Sequence, residues 1–258
     1  MINNQNGSLW DEATLQREIK NAQDIQQRLL NANAPTIDGA TLIGTSIPAR
    51  LIGGDYYDFY RLKNGKVRII IGDVMGKGIP AAMLMILTRG AFRSACESTD
   101  SPSETLEAMN DALYSDLRTL HSFVTVFCAD WDPTTNTLSY ANAGHNLPLW
   151  IHNDFIRDLP RCSGIMLGGL PNQQYKEEEL QLGKKDTVFF YTDGIVEAMD
   201  KEGNQFKRMR LIDTLDEVKN HDASQIKDTV LDEIESFTQG ITQKDDITLI
   251  VFKVQKED

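Results

Sequence analysis

The sequence predicts an α+β domain in which antiparallel sheets pack together and helices cover the outside, preceded by a helical extension. Three observations carry this. The segments run strands, two helices, strands, two helices, strand, without the regular alternation of a parallel α/β fold. The chain has 258 residues, of which 41% are hydrophobic and 25% charged, enough to bury a large core in a single domain. A helical periodicity occupies residues 9–31, before the first strand-like segment.

In the extension, Ser8 is a capping residue with Asp11 three positions later. Leu15, Ile19, Ala22 and Leu29 recur at steps of three and four, Gln26 fills the remaining seam position, and the helix ends before Pro35. Ile25 and Leu30 widen the apolar face. From Thr41, TLIGTSIPA reads as a strand, LIGGDYYDFYRL as a second entered through two glycines, and VRIIIGD as a third after the turn Lys63–Lys66. Pro80 sits in the first turn of the apolar helix IPAAMLMILTRGAFRSA, and Ser103 is read as the cap of a helix running to about Thr119. Four strands follow, FVTVFCADW, TLSYANAG, LPLWIHN and DTVFFYTD. Helices near 208–219 and 223–238 precede a last strand, ITLIVFKV.

The formal net charge of -12 argues against a nucleic-acid backbone or an anionic membrane as partner, and suits a carboxylate site that cations neutralise. The polar start MINNQNGSLW lacks the pattern of a signal peptide, and no apolar run is long enough to span a bilayer. Cys96, Cys128 and Cys162 are far apart and outside any CxxC pair, which reads as buried or semi-buried thiols in a reducing cytoplasm.

Aspartates mark the ends of the apolar strands. VRIIIGD ends in Asp73, TVFFYTDG in Asp193, and KDDITLIVF begins with Asp245 and Asp246. Asp55 follows Gly53-Gly54, with Asp58 beyond it. Turn-making accounts for one such residue. For four at the rim of an apolar core, a shared cation site stands beside that reading, because clustered carboxylates repel one another and hard oxygen ligands select Mg²⁺ or Mn²⁺.

The strings GGDYYDF, GDVMGKGIPAAMLM, AGHNLP, YTDGIVEA and KDDITLIV, in this order, resemble the metal-dependent protein phosphatases of the PPM family, in the bacterial SpoIIE/RsbU-like branch. The resemblance covers residues 37–254, taken as the phosphatase domain, with 9–31 as a linker or dimerisation helix. It implies an αββα sandwich of two antiparallel sheets flanked by helices, and a centre of two Mn²⁺ or Mg²⁺ ions. By motif, Asp55 and Asp73 hold the metals, Asp73 bridging both. The carbonyl of Val74 adds a ligand, and Asp193 and Asp245 complete the second metal. Asp246 stands where many relatives have asparagine and is placed at the metal site in a supporting role, while Asp58 orients or caps. Metal-activated water then removes phosphate from serine or threonine of a protein, and no side-chain nucleophile is needed.

Animal members carry a histidine two residues after the bridging aspartate, and here that position is Met75. A metal-bound water is the simplest substitute acid; His145 is a second candidate, set against a structural loop histidine. Arg50 lies near where relatives place a phosphate-gripping arginine, set against an exposed, solvated one. GDVMGKG is not a phosphate loop, since the spacing is one short and Gly78 follows the lysine. The resemblance further implies a STAS-fold anti-sigma-factor antagonist as substrate in a partner-switching pathway, and a homodimer through the leading helix. The alternatives are a two-metal hydrolase of small phosphate esters, for which a basic pocket or aromatic cluster is lacking, and an inactive phosphoprotein-binding regulator, against which the acidic positions argue.

Overall fold

The computed structural model describes residues 12–30 and 34–255. The elements are α1 (Glu12–Leu30), β1 (Ala40–Ile47), β2 (Tyr56–Arg61), β3 (Val67–Val74), α2 (Ile79–Ala95), α3 (Pro102–Thr119), β4 (Val124–Asp132), β5 (Thr137–Ala143), β6 (Leu149–His152), β7 (Phe155–Asp158), β8 (Glu177–Gln181), β9 (Thr187–Tyr191), α4 (Asp193–Val196), α5 (Lys207–Val218), α6 (Ala223–Thr238) and β10 (Ile247–Val254). They build two five-stranded sheets, β1-β10-β9-β6-β7 and β2-β3-β4-β5-β8, in which every pairing is antiparallel.

The strands are apolar runs because both faces of each sheet are covered. In β3, Ile69 and Ile71 join Phe127, Phe190 and Phe252 between the sheets, whereas Ile70 turns outward onto Met85 and Phe92 of α2 and Leu106 and Met109 of α3. Likewise Ile250 and Phe252 of β10 face inward, while Leu249 and Val251 pack with Leu211, Leu215, Ile226 and Val230 of α5 and α6. Each such side chain, fully buried, contributes about 1.5–3 kcal/mol. The layers are therefore α2/α3, sheet, sheet, α4–α6: the αββα sandwich expected.

Several boundaries differ from the expectation. The helix at 102 is capped by Ser101, whose side chain accepts from Glu104 N at 3.3 Å, because Pro102 is ready at the first helical position; Ser103 lies inside. The run Leu51–Asp55 is loop, and β2 starts at Tyr56. Asp193 does not end a strand but opens α4. β7 and β8 were not anticipated; β8 is the acidic edge segment EEELQ, which gains order from backbone pairing with β5 rather than from an apolar face. α6 matches its expected span, fixed by a capping box between Asp222 and Gln225. The expected cap at Ser8 lies outside the described residues.

The three cysteines are buried free thiols, and no described helix is long and apolar enough to cross a membrane. Beneath α2 and α3, Arg68 forks onto Asp130 with two bonds of 2.7 Å, both side chains almost wholly buried, and its third nitrogen donates to Thr99 and Thr105. Breaking one side of such a pair leaves an uncompensated buried charge. Asp130→Asn should lower unfolding stability by about 3–5 kcal/mol in urea titration, while leaving metal-dependent turnover of the remaining folded protein unchanged.

Candidate metal centre

The register of the sheets brings the aspartates together. Tyr56 pairs with Gly72, so the next residues along β2 and β3, Asp55 and Asp73, stand opposite each other. In the other sheet Tyr191 pairs with Leu249, and Thr192 N continues the ladder to Thr248 O, which carries Asp193 and the Asp245–Asp246 pair to the same edge. Thr192 spans the two sheets: its hydroxyl donates to Asp55 Oδ2 at 2.8 Å and receives Thr248 N at 3.0 Å.

Close approach of backbone is needed here. A Cβ on Gly54 would lie 2.9 Å from Ala81 Cβ and 3.1 Å from the carbonyl oxygen of Val74, and one on Gly194 would overlap the carbonyl oxygen of Asp246. Asp246 itself is turned to structural work. Its Oδ1 accepts from Ala49 N at 2.7 Å and its Oδ2 from Gly54 N at 2.6 Å, which fixes the loop leading into Asp55.

Burial and mutual repulsion dominate the electrostatics. Asp55 is 3% exposed, and desolvation, then Asp73, raises its carboxyl well above the ordinary range. Desolvation, followed by Asp193, Asp245 and Asp246, pushes Asp73 up to about 7. Asp193 is raised by burial and then by Asp245 and Glu197. Such groups resist ionising together until cations join them. The donor set, carboxylates plus the Val74 carbonyl, fits hard divalent ions of the Mg²⁺ or Mn²⁺ class. As they stand, no three His, Cys, Asp or Glu side chains among the described residues form a ready cage, and local partners explain why. Thr192 holds Asp55, and Asp245 Oδ2 pairs with Lys77 Nζ at 2.6 Å while Oδ1 accepts from Asp246 N.

The other candidates fall at the periphery. Asp58 is fully buried; Arg93 donates to its two oxygens at 2.7 and 2.5 Å and Tyr56 OH at 2.9 Å, so it ties β2 to α2 rather than facing an ion. His145 is buried, with Nδ1 2.9 Å from Thr125 Oγ1 and its backbone bracketed by Asn142. Burial lowers its pKa to about 4, so the ring is neutral, which favours the structural loop reading. Met75 is half exposed, and Arg50 is exposed with its guanidinium against Gly78.

Sequence reasoning missed Lys77 and Thr192, which hold the carboxylates, and the inward role of Gln26. The Gln26 amide donates to Gly53 O at 2.8 Å and accepts from Gly53 N at 3.0 Å, docking α1 on the loop before Asp55. A signal existed for two of them: Lys77 lies in the very string that follows Asp73, and Gln26 is the polar residue in an apolar seam.

An αββα sandwich with acidic strand ends gathered at one edge is the frame of a PP2C-type phosphatase. The structure resembles the SiaA PP2C domain of Pseudomonas aeruginosa with a TM-score of 0.79 at 20% identity, over 93% of this chain and 97% of that one. It also resembles a Mycobacterium tuberculosis chain carrying RsbU and RsbW domains, with a TM-score of 0.72 at 23% identity, over 87% of this chain and 62% of that one. In sequence, the phosphoserine phosphatase RsbU of Bacillus subtilis (strain 168) is 30% identical over 241 residues, 93% of this chain and 70% of the relative. The family described as Stage II sporulation protein E (SpoIIE) matches residues 63–255. The chain belongs to this SpoIIE family, a branch of the metal-dependent PPM-type protein serine/threonine phosphatases.

The raised carboxyls set a sign for pH. Between the ordinary carboxylate range and about pH 7, the folded metal-free protein keeps a proton on Asp73 that the unfolded chain has lost, so stability from this group is present at low pH and lost as pH rises through about 7. Asp73→Asn should therefore flatten the fall in melting temperature of the metal-free protein between about pH 5 and about pH 8. At the upper end it should be more stable than wild type by roughly 1–3 kcal/mol. Added Mn²⁺ should raise the wild-type melting temperature and not the variant's. Asp73→Asn and Asp193→Asn should each abolish Mn²⁺-dependent turnover; wild-type rates at limiting metal would refute the assignment.

Proposed function

We propose that the chain hydrolyses phosphoserine or phosphothreonine on a STAS-fold anti-sigma-factor antagonist in a partner-switching pathway, using two Mn²⁺ or Mg²⁺ ions. The observation that carries the metal-dependent hydrolysis is the convergence of Asp55, Asp73, Asp193 and Asp245 at the edge where both sheets end, with Thr192 and Lys77 holding two of them. Asp55 and Asp73 with the Val74 carbonyl would hold one ion, and Asp73, Asp193 and Asp245 the other. Bound there, the ions supply a water activated for attack on phosphorus and neutralise the phosphoryl oxygens.

The side chains of the protein have distinct tasks. Thr192 and Lys77 orient Asp55 and Asp245, and Asp246 sets the loop on which Asp55 stands. Arg50, against Gly78, grips the phosphoryl group. With Met75 after the bridging aspartate and His145 neutral and buried, solvent donates the proton to the leaving oxygen. RsbU, to which this chain is similar, is a phosphoserine phosphatase, and the tuberculosis relative carries an RsbW domain beside its RsbU domain; both support a partner-switching setting. Mn²⁺-dependent loss of phosphate from a phosphorylated STAS protein of the same genome, followed by mass, is the expected result. Rapid turnover of nucleotides or sugar phosphates with none on any such protein would move the assignment to a small-ester hydrolase.

Assembly through α1 belongs to the same proposal. The expected seam is shared. Gln26 is taken by Gly53 of the same domain and Leu30 packs against the core of that domain, whereas Leu15 and Ile25 are 53% and 59% exposed and Ala22 is exposed too. A lone helix with that apolar surface is marginal in water. A second α1 is the proposed cover, and pairing would bear on Gly53 and thus on Asp55. Leu15→Glu with Ile19→Glu should halve the mass by light scattering and shift activity to higher Mn²⁺. Unchanged mass and metal dependence would sink both the dimer and its regulatory part.

A further inference from the structure

Next to Asp245 lies a cavity of about 580 Å³, bounded by the end of β1, α4 and its exit, the second half of α6, residues 240–245 and the start of β10. Its wall is aliphatic: Ile47, Ala198, Met199, Leu231, Ile241 and Ile247. One end is made by Lys77, Gly194 and Asp245, the last a proposed metal ligand and Gly194 the residue after another. Ile47 and Ile241 are 39% and 40% exposed, so apolar surface stands open to water at the mouth.

We infer that this cavity is a subsite for an aliphatic or aromatic side chain two to four positions from the phosphorylated residue of the protein substrate; it rests on the phosphatase reading above. Three features support this occupant. The cavity is continuous with the carboxylate cluster through Asp245, and an extended chain advances about 3.3–3.6 Å per residue, so a residue a few positions from one held at the aspartates reaches it. The wall offers aliphatic carbon, while the charged lining residues Glu197, Glu235 and Lys244 are exposed, which suits a side chain whose backbone stays outside better than a polar metabolite. The wall is also braced. Gln243 Nε2 donates to Ile47 O at 2.8 Å and to Asp245 O at 2.6 Å, Lys77 Nζ to Lys244 O at 2.6 Å, and Lys244 Nζ reaches Met199 Sδ at 3.2 Å. The loop that supplies Asp245 is thus also the rim of the pocket, and a filled pocket is registered against the metal ligand.

The test uses the full chain with Mn²⁺ and phosphoserine peptides in which Leu, Phe, Ala or Glu is placed at each position from four before to four after the phosphoserine. Burying a Leu or Phe side chain should raise kcat/KM about tenfold or more over Ala at one offset. Ala198→Phe, which fills the cavity, and Ile241→Asp, which charges its exposed rim, should each remove that preference. Both should leave p-nitrophenyl phosphate hydrolysis unchanged, since an aryl phosphate carries no neighbouring residue to place in the cavity. Equal kcat/KM at every offset would overturn the subsite alone. So would variants that slow peptides and p-nitrophenyl phosphate in the same proportion. Hydrolysis of p-nitrophenyl phosphate with no turnover of any phosphopeptide or phosphoprotein would remove the protein-phosphatase reading and the subsite with it.

Discussion

Like charges meeting under partial burial are the constraint on which this structure turns. Asp55 and Asp73 are neighbours across β2 and β3, and Asp193 and Asp245 arrive from the other sheet. Left to themselves such carboxylates would separate or take up protons, and burial first, then the neighbouring aspartates, raise Asp73 to about 7. Only a frame stiffer than the repulsion can hold them at one edge. The αββα sandwich supplies it, because each strand is packed on both faces and its end cannot swing away without opening a core of Ile69, Phe127, Phe190 and Phe252. The supporting polar contacts act on the same problem. Thr192 ties Asp55 to the partner sheet, Asp246 accepts the backbone amides of Ala49 and Gly54, and Lys77 sits on Asp245.

Much of this was legible in the chain because the aspartates adjoin mostly apolar runs such as VRIIIGD and TVFFYTD. Periodicity identified the strands that are buried on both faces. It was silent on β8, whose EEELQ is ordered by backbone bonds to β5, and on β7, a short partner of β6. Asp193 was placed at a strand end, since the one-turn helix α4 is too short to imprint a helical period. Thr192 escaped because its importance arises only when the two sheets face each other, a relation between residues 137 positions apart. Lys77 was set aside with the phosphate-loop reading of its string. The string was indeed not a phosphate loop, yet its lysine reaches Asp245 across the site.

Two helices are fastened to the same short stretch. Gln26 of α1 replaces a backbone partner for Gly53, and Asp58, three residues after Asp55, is forked by Arg93 of α2. Neither Gln26 nor Asp58 was placed as a direct metal ligand by motif, and in the structure both are engaged by protein partners. Their effect is positional: Gln26 holds α1 on the loop before Asp55, and Arg93 ties the last turn of α2 to β2. Gly54 lies on that loop, and Ala81 of α2 and the Val74 carbonyl approach it so closely that no side chain fits.

Charge counting joins these contacts to the proposed reaction. Asp55, Asp73, Asp193, Asp245 and Asp246 offer five negative charges when ionised, and Lys77 at Asp245 offsets one. The surplus of negative charge, to which Glu197 beside Asp193 adds, is what divalent cations would neutralise in the proposed enzyme. A phosphoryl group then adds negative charge that these partners no longer balance. Arg50 is suited to meet it, because it stands exposed against Gly78, one residue from Lys77, and takes no part in holding the aspartates. In the proposed enzyme Lys77 keeps a carboxylate in place while Arg50 is left to receive the substrate, and the hydroxyl of Thr192, which carries no charge, can hold Asp55 without disturbing that balance.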